Sequence, residues 1–126
     1  MKYLFLKYIY IYKMSVILNS EEDFHKYICQ SRPIVIDFHA KWCGPCKAIA
    51  PLFEDMAKKY PNILFLKIDV DAFPTITKSV GVSAMPTFLF IKDNIKYGEI
   101  KGADKNKLIA YITDFSVGKL SLVTLA

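Results

Sequence analysis

The sequence predicts an α/β fold, a mixed β-sheet covered by helices on both faces. Three observations carry this. Short, nearly continuous apolar runs of strand type alternate along the chain with segments whose apolar residues step by three and four. The last two strand runs are separated by Asp93-Asn94, a turn signal that makes them an antiparallel hairpin. A chain of 126 residues that is 53% hydrophobic and 23% charged has the composition of one folded domain, not of a disordered segment. It is long enough to build a core without metal or disulfide staples.

The elements follow in order. Residues 16–18 are a short apolar run, ended by Asn19-Ser20. Ser20 with Asp23 resembles a capping box, and Glu21, Glu22 and Asp23 crowd the first turn, where the positive end of the helix dipole favours acids. A helix is expected over 21–30, and Pro33 ends the connection. Ile34-Val35-Ile36-Asp37-Phe38 is a buried-type strand interrupted by one carboxylate, Asp37. Over 43–60, Cys46, Ile49, Ala50, Phe53, Met56, Ala57 and Tyr60 keep helical spacing, with Pro51 inside the run as a kink. Residues 63–69 (ILFLKID) are a second buried strand, interrupted by Lys67. Residues 73–80 are a weak helix, since Pro74 opens it but Thr75, Ile76 and Thr77 are β-branched. Residues 87–91 (TFLFI) and 95–101 are the hairpin strands, and 104–116 closes the chain as an amphipathic helix. The resulting order is β-α-β-α-β-α-β-β-α.

The two ends look added to this middle. Residues 1–13 (MKYLFLKYIYIYK) are apolar and basic and hold four of the eight tyrosines. Lys7 splits the apolar run, no small-residue cleavage site follows, and the stretch is too short to span a bilayer. It reads as an extension of unknown role, with Met14 as a second candidate start; an atypical signal or interfacial anchor is the alternative. Gly118 is a natural helix stop, so the domain is expected over 14–117 and residues 118–126 form a short tail packed on its surface. The formal charge of +5 shrinks accordingly. Lys2, Lys7 and Lys13 lie in the head, leaving 14 basic against 12 acidic residues elsewhere. No Lys/Arg run makes a footprint for a phosphate backbone, so no nucleic-acid partner is expected.

The chemistry centres on Trp42-Cys43-Gly44-Pro45-Cys46-Lys47. Two of the three cysteines stand as C-x-x-C between a buried strand and a helix. A cysteine at a helix start faces unpaired N–H groups and the positive end of the dipole, which stabilises its thiolate and lowers its pKa. Cys46, one turn on, is close enough to attack a mixed disulfide, so the pair can exchange with a substrate disulfide. Pro45 presets φ early in the helix, where no N–H is needed, and Gly44 lets a peptide backbone approach. Other uses of a C-x-x-C pair fit less well. Zinc wants four ligands, and His25, His39 and Cys29 lack ligand spacing. Haem attachment needs His where Lys47 stands. A permanent structural bridge across so short a loop constrains little chain.

The stretch IVIDFHAKWCGPCKAIAP, followed by KIDVD, VGVSAMPTFLFIKD and GEIKGA in the same order, resembles the thioredoxin family over about residues 15–116. That resemblance implies the thioredoxin fold, a central five-stranded mixed sheet flanked by four helices. It implies Cys43 as the attacking nucleophile, Cys46 as the resolving thiol and the two as a redox-active disulfide. Asp37 matches the family's buried acid, which takes the resolving cysteine's proton; burial raises a carboxyl pKa toward neutrality and suits it to that task. Lys67 matches that acid's partner. Met85-Pro86 resembles the family's cis-proline loop, whose backbone pairs with an extended substrate segment. Trp42, Gly44, Pro45, Met85, Pro86, Gly102 and Ala103 are then the substrate-binding surface, flat and apolar.

The resemblance further implies a monomeric disulfide reductase of cell redox homeostasis with no bound cofactor, reduced by NADPH through a thioredoxin reductase. Its implied substrates are disulfide proteins such as peroxiredoxins, methionine sulfoxide reductases and ribonucleotide reductase. A cytoplasmic site is expected, because dithiol chemistry suits a reducing compartment; targeting or membrane association through residues 1–13 is the alternative. Two other functions stay open: an oxidase or isomerase of an oxidising compartment, against which Gly44-Pro45 argues, and a redox-sensing binding module without turnover. His39 departs from the family pattern, either as a packed side chain or as a group that alters the field near Cys43. Cys29 is an odd thiol at the end of the first helix.

Overall fold

A computed structural model of the chain describes residues 14–120. The head at 1–13 and residues 121–126 of the apolar tail lie outside the described residues. The elements run β1 (Val16–Ile17), α1 (Glu21–Ile28), β2 (Ile34–His39), α2 (Gly44–Lys59), β3 (Leu64–Asp69), α3 (Pro74–Ser79), β4 (Thr87–Lys92), β5 (Ile95–Lys101) and α4 (Lys105–Ser116). This is the order expected from the sequence. No described helix is long and apolar enough to cross a membrane.

The strands form one mixed sheet in the order β1-β3-β2-β4-β5. β1, β3 and β2 are parallel, and β4 and β5 join antiparallel. Asp93 and Asn94 take φ of 52° and 60°, the left-handed pair that closes a two-residue hairpin with the correct twist. The Asn94 and Asp93 amides donate to the Ile28 and Gln30 carbonyls, which ties this turn to the end of α1.

Side chains alternate across the sheet, so each strand feeds two cores. Ile34, Ile36 and Phe38 of β2 join Leu64, Leu66 and Ile68 of β3, Phe24 of α1 and Ile76 of α3 on one face. Val35 and Phe65 join Ile49, Phe53, Met56, Leu108 and Phe115 on the other, beneath α2 and α4. Asp37, His39 and Lys67 share that second face by alternation, but lie beyond its apolar part, toward the C-terminal ends of the parallel strands.

Helix ends follow their local chemistry. Ser20 Oγ accepts from the Asp23 amide, and Asp104 Oδ1 from the Lys107 amide, each satisfying an otherwise orphaned N–H. The first helix stops at Ile28, two residues short of the sequence expectation, because Gln30 donates to Tyr27 in a tighter turn on the way to Pro33. After α4, Gly118 takes a φ of 73°, with Lys119 donating to Asp114 and Gly118 to Phe115. This left-handed glycine cap turns the chain back, so that Leu120 is 8% exposed in the second core. Leu120 therefore packs against the domain.

Candidate functional site

β2 ends at His39, and the chain turns through Ala40, whose carbonyl accepts from the Cys43 amide, into α2. Cys43 is the N-cap of α2, in extended conformation, and its Sγ accepts from the Cys46 amide at 3.2 Å. The sulfur thus occupies the position of a capping oxygen, among the free N–H groups of the first turn. Pro45 lies in that turn, where its missing N–H costs nothing. Cys43 and Cys46 form a disulfide with Cα atoms 5.3 Å apart, and both are buried, at 4% and 5% exposure.

Two loops complete the pole. The Met85-Pro86 peptide is cis, and the Met85 carbonyl oxygen lies 3.7 Å from Cys43 Sγ. In the oxidised pair this is a contact only, since a disulfide sulfur has no proton to donate. The Gly102 amide donates to the Pro86 carbonyl at 2.8 Å, bringing the end of β5 to the same place, with Ala103 half-buried beside it. Gly102 has a φ of 98°, a conformation in which glycine is at ease. A Cβ at Gly44 or Gly102 would meet nothing within 4 Å, so this surface is open above both glycines. Trp42 is 67% exposed beside it, and its indole N–H donates to Asp71 Oδ2 at 2.9 Å. Asp71 escaped the sequence reading. It lies 29 residues away in the chain, at the end of the KIDVD segment, and nothing local to that segment points to Trp42.

Beneath the cysteines is a cavity of about 130 Å³, lined by Asp37, His39, Lys41, Cys46, Lys47 and Lys67 among others. Asp37 is 2% exposed, and its Oδ1 has no hydrogen-bond partner. Burial raises its pKa to about 7; the Lys67 charge works against that rise and Glu54 adds to it. Glu54 was not expected from sequence to matter here. It projects from α2 and accepts from the Ser15 hydroxyl. His39 is half-buried, and burial and Lys67 lower its pKa while Asp69 pulls it back up.

Cys43, Cys46, Asp37, Lys67, Trp42, Gly44, Pro45, Met85, Pro86, Gly102 and Ala103 all gather at this one end of the sheet. His39 joins them at the cavity. Cys29 does not: it is the exposed C-cap of α1. The gathered groups form a thiol pair that can open and close a disulfide, above a buried carboxyl able to hold or release a proton near neutrality.

The family model described as Thioredoxin matches residues 15–114. Thioredoxin H-type 1 of Nicotiana tabacum is 47% identical over 87 residues, covering 69% of each chain. The thioredoxin of Rattus norvegicus is 42% identical over 105 residues, 82% of this chain and all of that one. Among solved structures, the Malassezia sympodialis thioredoxin superposes with a TM-score of 0.78 at 42% identity, covering 82% of this chain and 92% of its own.

Proposed function

Since the chain belongs to the thioredoxin family, and is a protein-disulfide oxidoreductase acting by dithiol–disulfide exchange through Cys43 and Cys46, we propose the following division of labour among its residues. In the reduced protein the Cys43 thiolate attacks one sulfur of a substrate disulfide. That S–S bond breaks, the departing sulfur takes up a proton, and Cys43 is left in a mixed disulfide. The Cys46 thiol gives its proton to the Asp37 carboxylate and attacks Cys43 Sγ. The Cys43–substrate bond breaks, the second substrate thiolate leaves, and Cys43 and Cys46 close their own disulfide. Two electrons pass to the substrate.

The observation that carries this reading is the orphaned Asp37 carboxyl, with its pKa raised to about 7, in the cavity that Cys46 also lines. A base serves best when its pKa is close to the working pH. Lys67 offsets part of the burial penalty and holds Asp37 in that range. The open face around Gly44, Met85, Pro86, Gly102 and Ala103 takes an extended substrate segment by main-chain contact, with Trp42 and Pro45 at its border.

The fuel of the cycle, in this reading, is NADPH delivered by a thioredoxin reductase, and the setting is the cytoplasm. Peroxiredoxins, methionine sulfoxide reductases and ribonucleotide reductase are the candidate substrates. Reduction of insulin disulfides by dithiothreitol, with and without the protein, tests the core of the reading. Cys43→Ser abolishes the acceleration, and Cys46→Ser accumulates covalent mixed disulfides. An unchanged rate in Cys43→Ser sinks it. Oxidation of NADPH in the presence of a thioredoxin reductase tests the regeneration route.

A further inference from the structure

Main-chain pairing at Met85-Pro86 tolerates many substrate sequences, so selectivity among disulfides has to come from side chains around it. Charge gathers in the cavity beside Cys46. Lys41, Lys47 and Lys67 line it, and the one carboxyl in its wall is that of Asp37. With a pKa of about 7 that carboxyl is only partly ionised near neutrality. Burial and Lys67 keep His39, also in the wall, from adding to the positive charge. Three cations therefore face one partial negative charge.

These cations are not spent on the fold. Among the described residues none of the three forms an ion pair; the lysines that do are Lys26, with Glu22, and Lys96, with Glu99. The neighbouring acids do not line the cavity and are engaged elsewhere. Asp71 Oδ2 accepts from the Trp42 indole, Asp69 Oδ1 from the Asp71 amide, and Glu54 from the Ser15 hydroxyl. Lys47 even stands against the helix dipole, in a first turn of α2 that holds no acid. Lys41 and Lys47 are exposed, Lys67 is half-buried and Asp37 is buried. The mouth of the cavity is therefore cationic and open to solvent, and the carboxyl lies at its floor.

We propose that this mouth is a specificity subsite, in which Lys41 and Lys47 take an acidic side chain of the substrate that lies beside its disulfide. The proposal rests on the reading of Cys43 as the attacking thiol and says which disulfides that thiol meets most often. At about 130 Å³ the cavity has room for a carboxylate and a few waters. The carboxylate stays at the mouth, because closer to Asp37 it would oppose the ionisation of that acid. The attraction is Coulombic between exposed groups, hence modest, and it acts chiefly on the rate of encounter. No bond is made or broken in it.

The test uses two cyclic disulfide peptides that differ only in carrying Glu or Gln on both sides of each cysteine. Reduced protein reacts with each in a single turnover, and the released peptide thiols are counted after quenching. The readout is the ratio of the two second-order rate constants on the same protein. A variant that is merely damaged slows both peptides and leaves the ratio alone. In wild type at low ionic strength the Glu peptide reacts about fivefold faster. Lys41→Gln and Lys47→Gln each lower the ratio by about twofold, and the double variant brings it close to one. Added salt lowers the wild-type ratio as well. Lys92→Gln removes the same charge at the far end of β4 and keeps the wild-type ratio. A ratio of one in wild type overturns the proposal, as does a wild-type ratio in the double variant. So does a Lys92→Gln effect equal to that of Lys41→Gln, which would make the preference one of net charge. Cys43→Ser separates the two readings. If it reduces both peptides at the wild-type rate, the role of Cys43 fails and the subsite with it. If it is inert while wild type reacts equally with both peptides, only the subsite fails.

Discussion

Asp37 and Lys67 face each other as direct partners in the parallel β2–β3 ladder, yet Asp37 Oδ1 remains without a hydrogen bond. A carboxylate and an ammonium so placed would ordinarily close into an ion pair and hold the acid ionised. Here burial outweighs the lysine, and the carboxyl rests near neutrality. The measurable behaviour of the protein follows from that balance.

Stability should fall as pH rises from about 4 to about 7. Over this window the native state keeps a proton on Asp37 that the unfolded chain has already released, because the folded pKa is raised from 3.8 to about 7. The stabilising contribution is complete below the unfolded value and lost above the folded one. Asp37→Asn removes the titration. Its unfolding free energy relative to wild type should therefore gain on the order of 3 kcal/mol between pH 4 and pH 8. Urea unfolding of the oxidised proteins at both pH values checks it, and parallel pH curves for the two proteins would contradict it.

Lys67→Gln should move the acid limb of the closure rate to higher pH. Removing the one charge that lowers the Asp37 pKa leaves the carboxyl protonated at pH values where wild type has ionised it. Disulfide closure near pH 7 should slow, and recover as the pH is raised. Stopped-flow rates across pH 6 to 9 measure this; a loss independent of pH would place Lys67 outside the proton balance.

Trp42 is the chain's single tryptophan, so its emission reports on one place. Asp71→Ala deletes the acceptor of the indole N–H. Both groups are solvated, so stability should change by less than about 1 kcal/mol. Trp42 emission should shift, and insulin reduction should slow through the loosened ring. An unaltered spectrum would mean that the bond does not hold the indole in solution.

Gly98 and Leu120 should be energetically coupled. A Cβ at Gly98 would come within 3.1 Å of Leu120 Cδ2 and 3.4 Å of the Phe90 and Tyr111 rings. Gly98→Ala should cost about 1 kcal/mol in wild type and less in a Leu120→Ala background, where the closest neighbour is gone. A double-mutant cycle on thermal unfolding reads the difference, and equal costs in the two backgrounds would remove the contact from the account.

Much of this architecture is legible in one sequence, because the elements announce themselves locally. Continuous apolar runs such as 87–91 have no other home than a buried strand, and Ser20, Asp93-Asn94 and Gly118 each carry the chemistry of one particular cap or turn. The cysteines, Asp37, Lys67 and the Met85-Pro86 loop were legible through resemblance. What escaped was spatial. The tie from Trp42 to Asp71 spans 29 residues, and the push of Glu54 on Asp37 depends on how α2 lies over the sheet. Lys41 and Lys47 became cavity walls only once the loop and helix were in place. Sequence periodicity contains none of this, because it reports which face a residue takes and not what stands opposite.

The alternation of β2 has a consequence for how this protein tolerates insertions. Ile34, Ile36 and Phe38 serve one core, while Val35, Asp37 and His39 look the other way. A single residue added within the strand would exchange the two sets downstream of it. Asp37 would then lie among aliphatic side chains and Phe38 in the reactive cavity. Adding two residues would restore the facing but slide the carboxyl about 7 Å along the ladder, away from Cys46. Length changes that lineages accept in this chain should therefore collect in its connections and at its ends, and spare these six positions.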